Sequence, residues 1–302
     1  MAADKSGALR AAHRSAAPLI TPLAHDAFSA RLIAAAGFSA FNIGGSSLLA
    51  ARYGLPDLGI AALGEMTCAI RDVVGAVDLP CLADADDGYG DIKSVVRTIQ
   101  SYEQIGVAGL LLEDQAREVK QPGDSAARTV IPADEMVQRL RAALAARRTG
   151  LVVIARTDAV GLEGVDGALR RAEQYLRAGA DGIFVAGLTQ LAQYERIGAA
   201  FRGSWNLAAQ FEGRSSPWLA PQALHALGFS QIAYPMLLIQ RIAGVVEQTL
   251  ASLRQYASGE REAPAHAQLL SASGFRTAVE LDRWTAVERS GGTEGADSNA
   301  KS

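Results

Sequence analysis

One phrase recurs along the chain and constrains its fold more than any other feature: a helical pattern closes on glycine, and a short apolar run follows. It appears at Ala36-Gly37-Phe38, Ile105-Gly106-Val107, Ala178-Gly179-Ala180 and Leu227-Gly228-Phe229. Glycine fits the left-handed position that ends a helix. The apolar runs predict strands over 19–24, 40–45, 80–86, 109–114, 152–158, 182–187, 205–210 and 231–235. Amphipathic patterns lie between them, such as 92–105, 133–148, 165–178 and 188–201. Apolar strands alternating with such helices imply parallel pairing with the helices outside. Eight of them favour an α/β protein built as a closed (β/α)8 barrel over an open doubly wound sheet. A barrel of this kind commonly takes about 250 residues as one unit. The 302 residues then divide into a barrel over 1–260, a helical extension over 261–289 and a disordered tail over 290–302. A long helix is expected from Leu237 to about Ala257.

Composition narrows the function classes. A net charge of −3 and a pI near 5.9 argue against a surface for nucleic acid or another polyanion. No stretch of about 18 apolar residues predicts a membrane span. Lys5, Arg10 and Arg14 are scattered among small residues without the apolar core of a secretory signal. Cys68 and Cys81 sit in apolar settings and lack metal or redox spacing, so both are expected to be core thiols of a cytoplasmic protein.

The chemistry concentrates at the predicted strand ends. The run Leu82-Ala83-Asp84-Ala85-Asp86-Asp87-Gly88-Tyr89-Gly90 leaves a buried strand in carboxylates and glycines. Residues two apart on a strand share a face, so Asp84 and Asp86 are expected to point the same way. Like charges buried together repel, and a hard divalent cation, Mg²⁺ or Mn²⁺, resolves the conflict. The bland alternative is a solvated acidic turn. In a parallel barrel the loops after the strands meet at one mouth. Gly44, Gly45 and Ser46 follow the second predicted strand, with Asp57 further along that connection; Glu113 and Asp114 close the fourth, and Arg156, Thr157 and Asp158 the fifth. Acids around a cation, faced by an arginine and glycine amides, suit a small oxo-acid and its enolate. Each residue has a plainer role open to it: Asp86, Asp114 and Asp158 as caps, Arg156 as an internal ion-pair partner, the glycines as tight geometry.

Taken together, these residues resemble the isocitrate lyase and phosphoenolpyruvate mutase superfamily over roughly 15–260. The marks are Gly54-Leu55-Pro56-Asp57-Leu58-Gly59, Ala83-Asp84-Ala85-Asp86 with Gly88-Tyr89-Gly90, Glu113-Asp114-Gln115, Ile154-Ala155-Arg156-Thr157-Asp158, Pro217-Trp218-Leu219 and Tyr234-Pro235. The resemblance implies a Mg²⁺-dependent TIM barrel that acts next to a pyruvate- or glyoxylate-like unit. It further implies a homo-oligomer, dimer or tetramer, whose C-terminal helices swap between subunits. By position, Asp84 would ligate the metal, and Asp86, Glu113 and Asp57 would hold its waters. Gly44, Gly45 and Ser46 with Arg156 would bind the oxo-acid. The 2-methylisocitrate lyase-like branch carries Lys-Arg-Cys-Gly-His on a mobile loop, and here Lys120-Gln121-Pro122-Gly123-Asp124 stands instead. Pro122 has no proton to give, which leaves Lys120 and Asp124, and after them Glu212, as acid–base candidates. Leu111, Ala186 and Ala209 replace a His, a Glu and an Asn of that branch, and Pro235 stands near a His of the oxaloacetate decarboxylase branch. The expected activity is C–C cleavage, by retro-aldol or decarboxylation, of a small 2-oxo or 2-hydroxy di- or tricarboxylic acid through a metal-stabilised enolate. Alternatives are C–P chemistry on phosphonopyruvate-like substrates and a non-catalytic oxo-acid-binding protein. The loop over 116–129 is expected to close over ligand.

Overall fold

The computed structural model of the chain describes residues 4–15, 18–120, 128–214, 216–261 and 269–291. Eight parallel strands close into a barrel in sequence order. They are β1 (Leu19–Ala24), β2 (Phe41–Ile43), β3 (Cys81–Asp84), β4 (Gly109–Glu113), β5 (Val152–Thr157), β6 (Gly182–Val185), β7 (Trp205–Ala209) and β8 (Gln231–Tyr234). The helices among the described residues are α1 (Lys5–Ser15), α2 (Ala27–Ala35), α3 (Gly45–Tyr53), α4 (Leu63–Val74), α5 (Ile92–Gln104), α6 (Ala133–Ala146), α7 (Val160–Arg177), α8 (Leu191–Ala200), α9 (Pro221–Leu227), α10 (Leu237–Ala257), α11 (Ala272–Ala278) and α12 (Leu281–Gly291). Two compact units result, Met1–Arg241 and Ile242–Ser302. The expected tail over 290–302 lies almost wholly outside the described residues.

The strands are apolar on both faces because each face meets its own core. Ala83, Leu110, Leu112, Val153, Ala155, Ile183 and Ile232 point outward and pack under the helices. Leu82, Leu111, Ile154, Phe184, Leu207 and Ala233 point inward and fill the barrel. This is the period-two alternation of a strand with no solvent face. Helix α5 shows the matching helical logic. Asp91 accepts from Ser94 N at 3.0 Å to start it, and Val95, Thr98, Ile99 and Tyr102 form its buried stripe.

Sequence patterning did not reveal α1, which closes the bottom of the barrel. Leu9 is fully buried in the interior cluster with Leu82, Val152 and Trp205. A Cβ on Gly109 would stand 2.8 Å from Leu82 and Val152 and 3.1 Å from Leu9, so only glycine leaves room there. The His13 ring stacks on Trp205 at 3.9 Å. Burial, then Arg14, lowers its pKa to about 4, so it stays neutral. Trp205 donates to Gln231 at 2.7 Å, and Gln231 donates to Thr21 and Asn42 at 3.0 and 3.2 Å, so these buried side chains satisfy one another. Leu9→Ala is expected to cost about 2–5 kcal/mol, read as a lowered urea midpoint. A loss below half a kilocalorie would mean that α1 does not seal the barrel.

Two expectations are corrected by the structure. Cys81 is buried, and burial pushes its thiol well up, but Cys68 is exposed on α4, not a core thiol. Asp114 is not at the mouth. It follows inward-facing Glu113 and so points outward, accepting from Thr157 and Tyr175 at 2.7 Å and from the Asp158 amide at 2.9 Å, with Arg171 at 3.4 Å. Burial raises its pKa to about 6 against these partners.

Candidate active site

The mouth of the barrel holds a cavity of about 430 Å³ at the strand C-termini. Asp84 is the last residue of β3, where the strand stops. Asp86 does not continue the strand, as expected from the alternation; it turns left-handed at φ 47°. The turn is fastened from behind: the Glu113 amide donates to Asp86 O at 2.8 Å, Tyr102 donates to Asp84 O at 2.9 Å and Thr98 to Gly88 O at 3.0 Å. The turn, not the pleat, returns Asp86 to Asp84. Together with Asp57 they place carboxylate oxygens within 4.8 Å of one another.

Glu113 and Arg156 are register partners on β4 and β5, and both point inward. Their ion pair is 2.8 Å, and Arg156 also contacts Asp158 at 2.9 and 3.0 Å. Gly44 and Gly45 open α3 at the cavity wall. The Gly45 amide donates to Asp84 at 3.3 Å, and Ser46 donates to Asp57 at 2.9 Å. Lys120 follows the single 3-10 turn Arg117–Val119 and reaches back into the acids. It contacts Asp57 at 2.9 Å, Glu113 at 3.3 Å and also Asp86. Arg117 ties the rim together, contacting Asp87 at 2.8 Å and donating to Gly59 O at 2.9 Å.

The electrostatics are unbalanced. Asp57, Asp84, Asp86, Glu113 and Asp158 face Lys120, Arg128 and Arg156, while behind them Arg117 and Arg139 share Asp87 and Glu135, Arg117 also reaching Asp86 at 3.3 Å. Five carboxylates against three cations leave a deficit of two positive charges among the described residues. Asp84 shows where the deficit lies. It is 7% exposed and has no ion-pair partner among the described residues, only the Gly45 and Asp86 amides. Burial, then Glu113, raises its pKa. Burial likewise raises Asp86 to about 7, against Lys120. Glu113 goes the other way: burial pushes it up, but Arg156, Lys120 and Arg128 outweigh that and hold it at about 2. Burial would lower Lys120, but Glu113, Asp86 and Asp57 keep its ammonium charged well beyond the usual range. Buried oxygen donors, a net charge of about −2 and an ammonium already drawn into them all fit a hard divalent cation.

Asp57, Asp84, Asp86, Glu113, Lys120, Arg156, Gly44, Gly45 and Ser46 therefore meet around one mouth. Glu212 does not join them: it is exposed and paired with Arg241 at 2.7 Å. Asp124 and Pro122 lie outside the described residues, as does half of the loop expected to close. Sequence reasoning missed Arg128, which is buried, lines the cavity and pairs with Asp158. It sits in no periodic pattern; the bonds from Ala116 N to Thr129 O at 2.9 Å and from Ile131 N to Asp114 O at 2.8 Å, at the neck of its loop, fold it back to the mouth.

The chain is similar to several known proteins. Residues 9–254 match the family profile described as phosphoenolpyruvate phosphomutase. A probable 2-methylisocitrate lyase of Corynebacterium glutamicum is 38% identical over 248 residues, 81% of each chain. An oxaloacetate acetylhydrolase bound to 3,3-difluorooxalacetate superposes with a TM-score of 0.88 at 27% identity, covering 96% of this chain and 97% of the other. A phosphonopyruvate hydrolase solved with oxalate and Mg²⁺ gives 0.79 at 27% identity, covering 94% and 98%.

Proposed function

Since the chain belongs to the phosphoenolpyruvate mutase/isocitrate lyase superfamily, we propose that it is a Mg²⁺-dependent carbon–carbon lyase acting on a small 2-oxo or 2-hydroxy di- or tricarboxylic acid. The observation that carries this reading is the buried Asp84, without an ion-pair partner among the described residues, in the same cavity as Arg156 and the first amides of α3. Asp84, with Asp57 and Asp86, would hold the ion, and Glu113 would orient the groups around it. When bound, the ion supplies a Lewis acid beside the oxo group. Mn²⁺ suits the same oxygen donors.

The protein's own residues supply the rest. Arg156 is clamped between Glu113 and Asp158, so its guanidinium is fixed before ligand arrives and can take a carboxylate without reorganising. The Gly45 amide and the Ser46 hydroxyl face the same space, at the positive end of α3. Lys120 is held charged by its acids, so it serves as a fixed cation rather than a base, and its tightly held proton makes it a weak acid. Decarboxylation asks least of such a site, because water can protonate the enolate carbon once CO₂ has left. Asp124 remains a second candidate donor.

The test is a panel of oxo- and hydroxy-acids with Mg²⁺, monitored for pyruvate, glyoxylate and CO₂. Release of one of them is expected, with no phosphate from phosphonopyruvate. Phosphate release would favour C–P cleavage, and binding without turnover would make the protein a non-catalytic oxo-acid binder. Mg²⁺ uptake is also expected to depend on pH. The Asp86 pKa is raised, so in the folded protein its proton competes with the ion below pH 7. Calorimetry should show affinity falling by up to about tenfold per unit below 7 and levelling above it. Affinity flat from pH 5.5 to 8 would remove Asp86 from the site.

Among the described residues no helix is long and apolar enough to cross a membrane, in keeping with a cytoplasmic enzyme. Ile242, Val245, Val246, Leu250 and Leu253 form an exposed apolar stripe along α10. That stripe supports a homo-oligomer, a dimer or tetramer with swapped C-terminal helices.

A further inference from the structure

The mouth of the barrel is divided in two. Strands β3 and β5 present Asp84 and Arg156 to the cavity, with Glu113 of β4 behind Arg156 at 2.8 Å. The opposite strands present no charge. Phe184 and Leu207 are register partners across β6 and β7, and Ala209 and Ala233 are partners across β7 and β8. Ala186 stands two residues beyond Phe184, and Leu111 lies beneath Glu113 on β4. All six line the cavity and belong to one buried apolar cluster. The boundary is sharp: Arg156 and Phe184 are themselves register partners, and the guanidinium lies 5.6 Å from the ring centre.

We propose that the substrate's arm, the part beyond its oxo-acid head, is an uncharged alkyl or aryl group seated on this apolar wall. The inference rests on the reading of the charged half as the oxo-acid and metal site, and it names the substrate class of that site. Three observations carry it. A cavity of about 430 Å³ falls in the range of about 300–1,000 Å³ that takes ligands well beyond a three-carbon acid. A carboxylate against this wall loses its water and finds no donor from those six side chains. The cations at the charged half are already engaged: Lys120 with Asp57, Asp86 and Glu113, Arg128 with Asp158, and Arg156, held by Glu113 and Asp158, with the carboxylate of the head. The remaining lining cation among the described residues, Arg214, is exposed and lies over the Phe211 ring at 4.3 Å. Charge on the substrate is thus confined to the head and the carbon next to it.

The test is calorimetry on the full chain in saturating Mg²⁺. Oxalate probes the head alone. The series 2-oxobutanoate, 2-oxopentanoate, 2-oxohexanoate adds one methylene at a time, and 2-oxoglutarate replaces the methyl end of 2-oxopentanoate with a carboxylate. Affinity is expected to rise about two- to fourfold per methylene, and 2-oxopentanoate to bind at least tenfold more tightly than 2-oxoglutarate. Ala209→Asp should flatten the methylene series in a protein whose circular dichroism is unchanged. If oxalate binds but the series is flat, or 2-oxoglutarate equals 2-oxopentanoate, the apolar-arm proposal is wrong and the head-group reading stands. Absence of Mg²⁺-dependent oxalate binding would overturn both.

Discussion

Asp84→Asn should abolish Mg²⁺ uptake, by at least on the order of 100-fold in affinity, while leaving the metal-free protein as stable as before or more so. Loss on the scale seen for metal-site partners is a lower bound when the direct ligand itself is changed. The second half of the prediction separates this residue from an ordinary buried acid. Asp84 is buried without a cation and beside other carboxylates, so its charge is a liability in the metal-free fold. Asparagine keeps the shape and an acceptor for one of the two amides, Gly45 or Asp86, which bind different oxygens of Asp84, and it removes the charge repulsion. Calorimetry with Mg²⁺ and thermal unfolding without it check both halves. Undiminished binding, or a variant that unfolds several degrees earlier, would show that Asp84 is a structural acid.

Arg156→Met is expected to act in the opposite sense, costing about 3–5 kcal/mol of stability as well as oxo-acid binding. Removing one partner of a buried ion pair is costly, and here two buried acids lose one: Glu113, left with Lys120, and Asp158, left with Arg128, at 1% and 2% exposure. The pH dependence gives a signature that a mere packing defect lacks. The Glu113 pKa is depressed from 4.5 to about 2, so its stabilisation is present above pH 4.5 and lost as pH falls through 2. Without Arg156 that pKa rises, and the variant should lose less stability than the wild type on acidification. Urea unfolding between pH 2.5 and 7 measures this, and Arg156→Lys should restore part of the stability. Parallel curves for wild type and Arg156→Met would mean that Lys120 and Arg128 alone hold Glu113 down.

Much of this molecule was legible in advance because strand and helix periodicity is local. The strand runs, the glycine-closed helices and α10 all follow from spacing along the chain. The acids at the mouth were also legible, since barrel topology sends every strand end to one place. Other features were not. Helix α1 carries no strong pattern, and its Leu9 becomes core only because a barrel floor needs a lid. Asp114 and Glu113 are adjacent and chemically alike, and only the inward or outward turn of β4 assigns one to the cavity and the other to Tyr175 and Arg171. Arg128 is a lone basic residue in the sequence and a cavity wall in the fold.

By itself, the sequence determined the alternation of elements and which residues arrive at the mouth, because both depend on period and order. The tertiary structure decided the charge balance and the division of the cavity. Those depend on distances across strands far apart in sequence, such as Arg156 beside Phe184 and Lys120 among three acids, where Coulomb energy and burial act through space rather than along the chain.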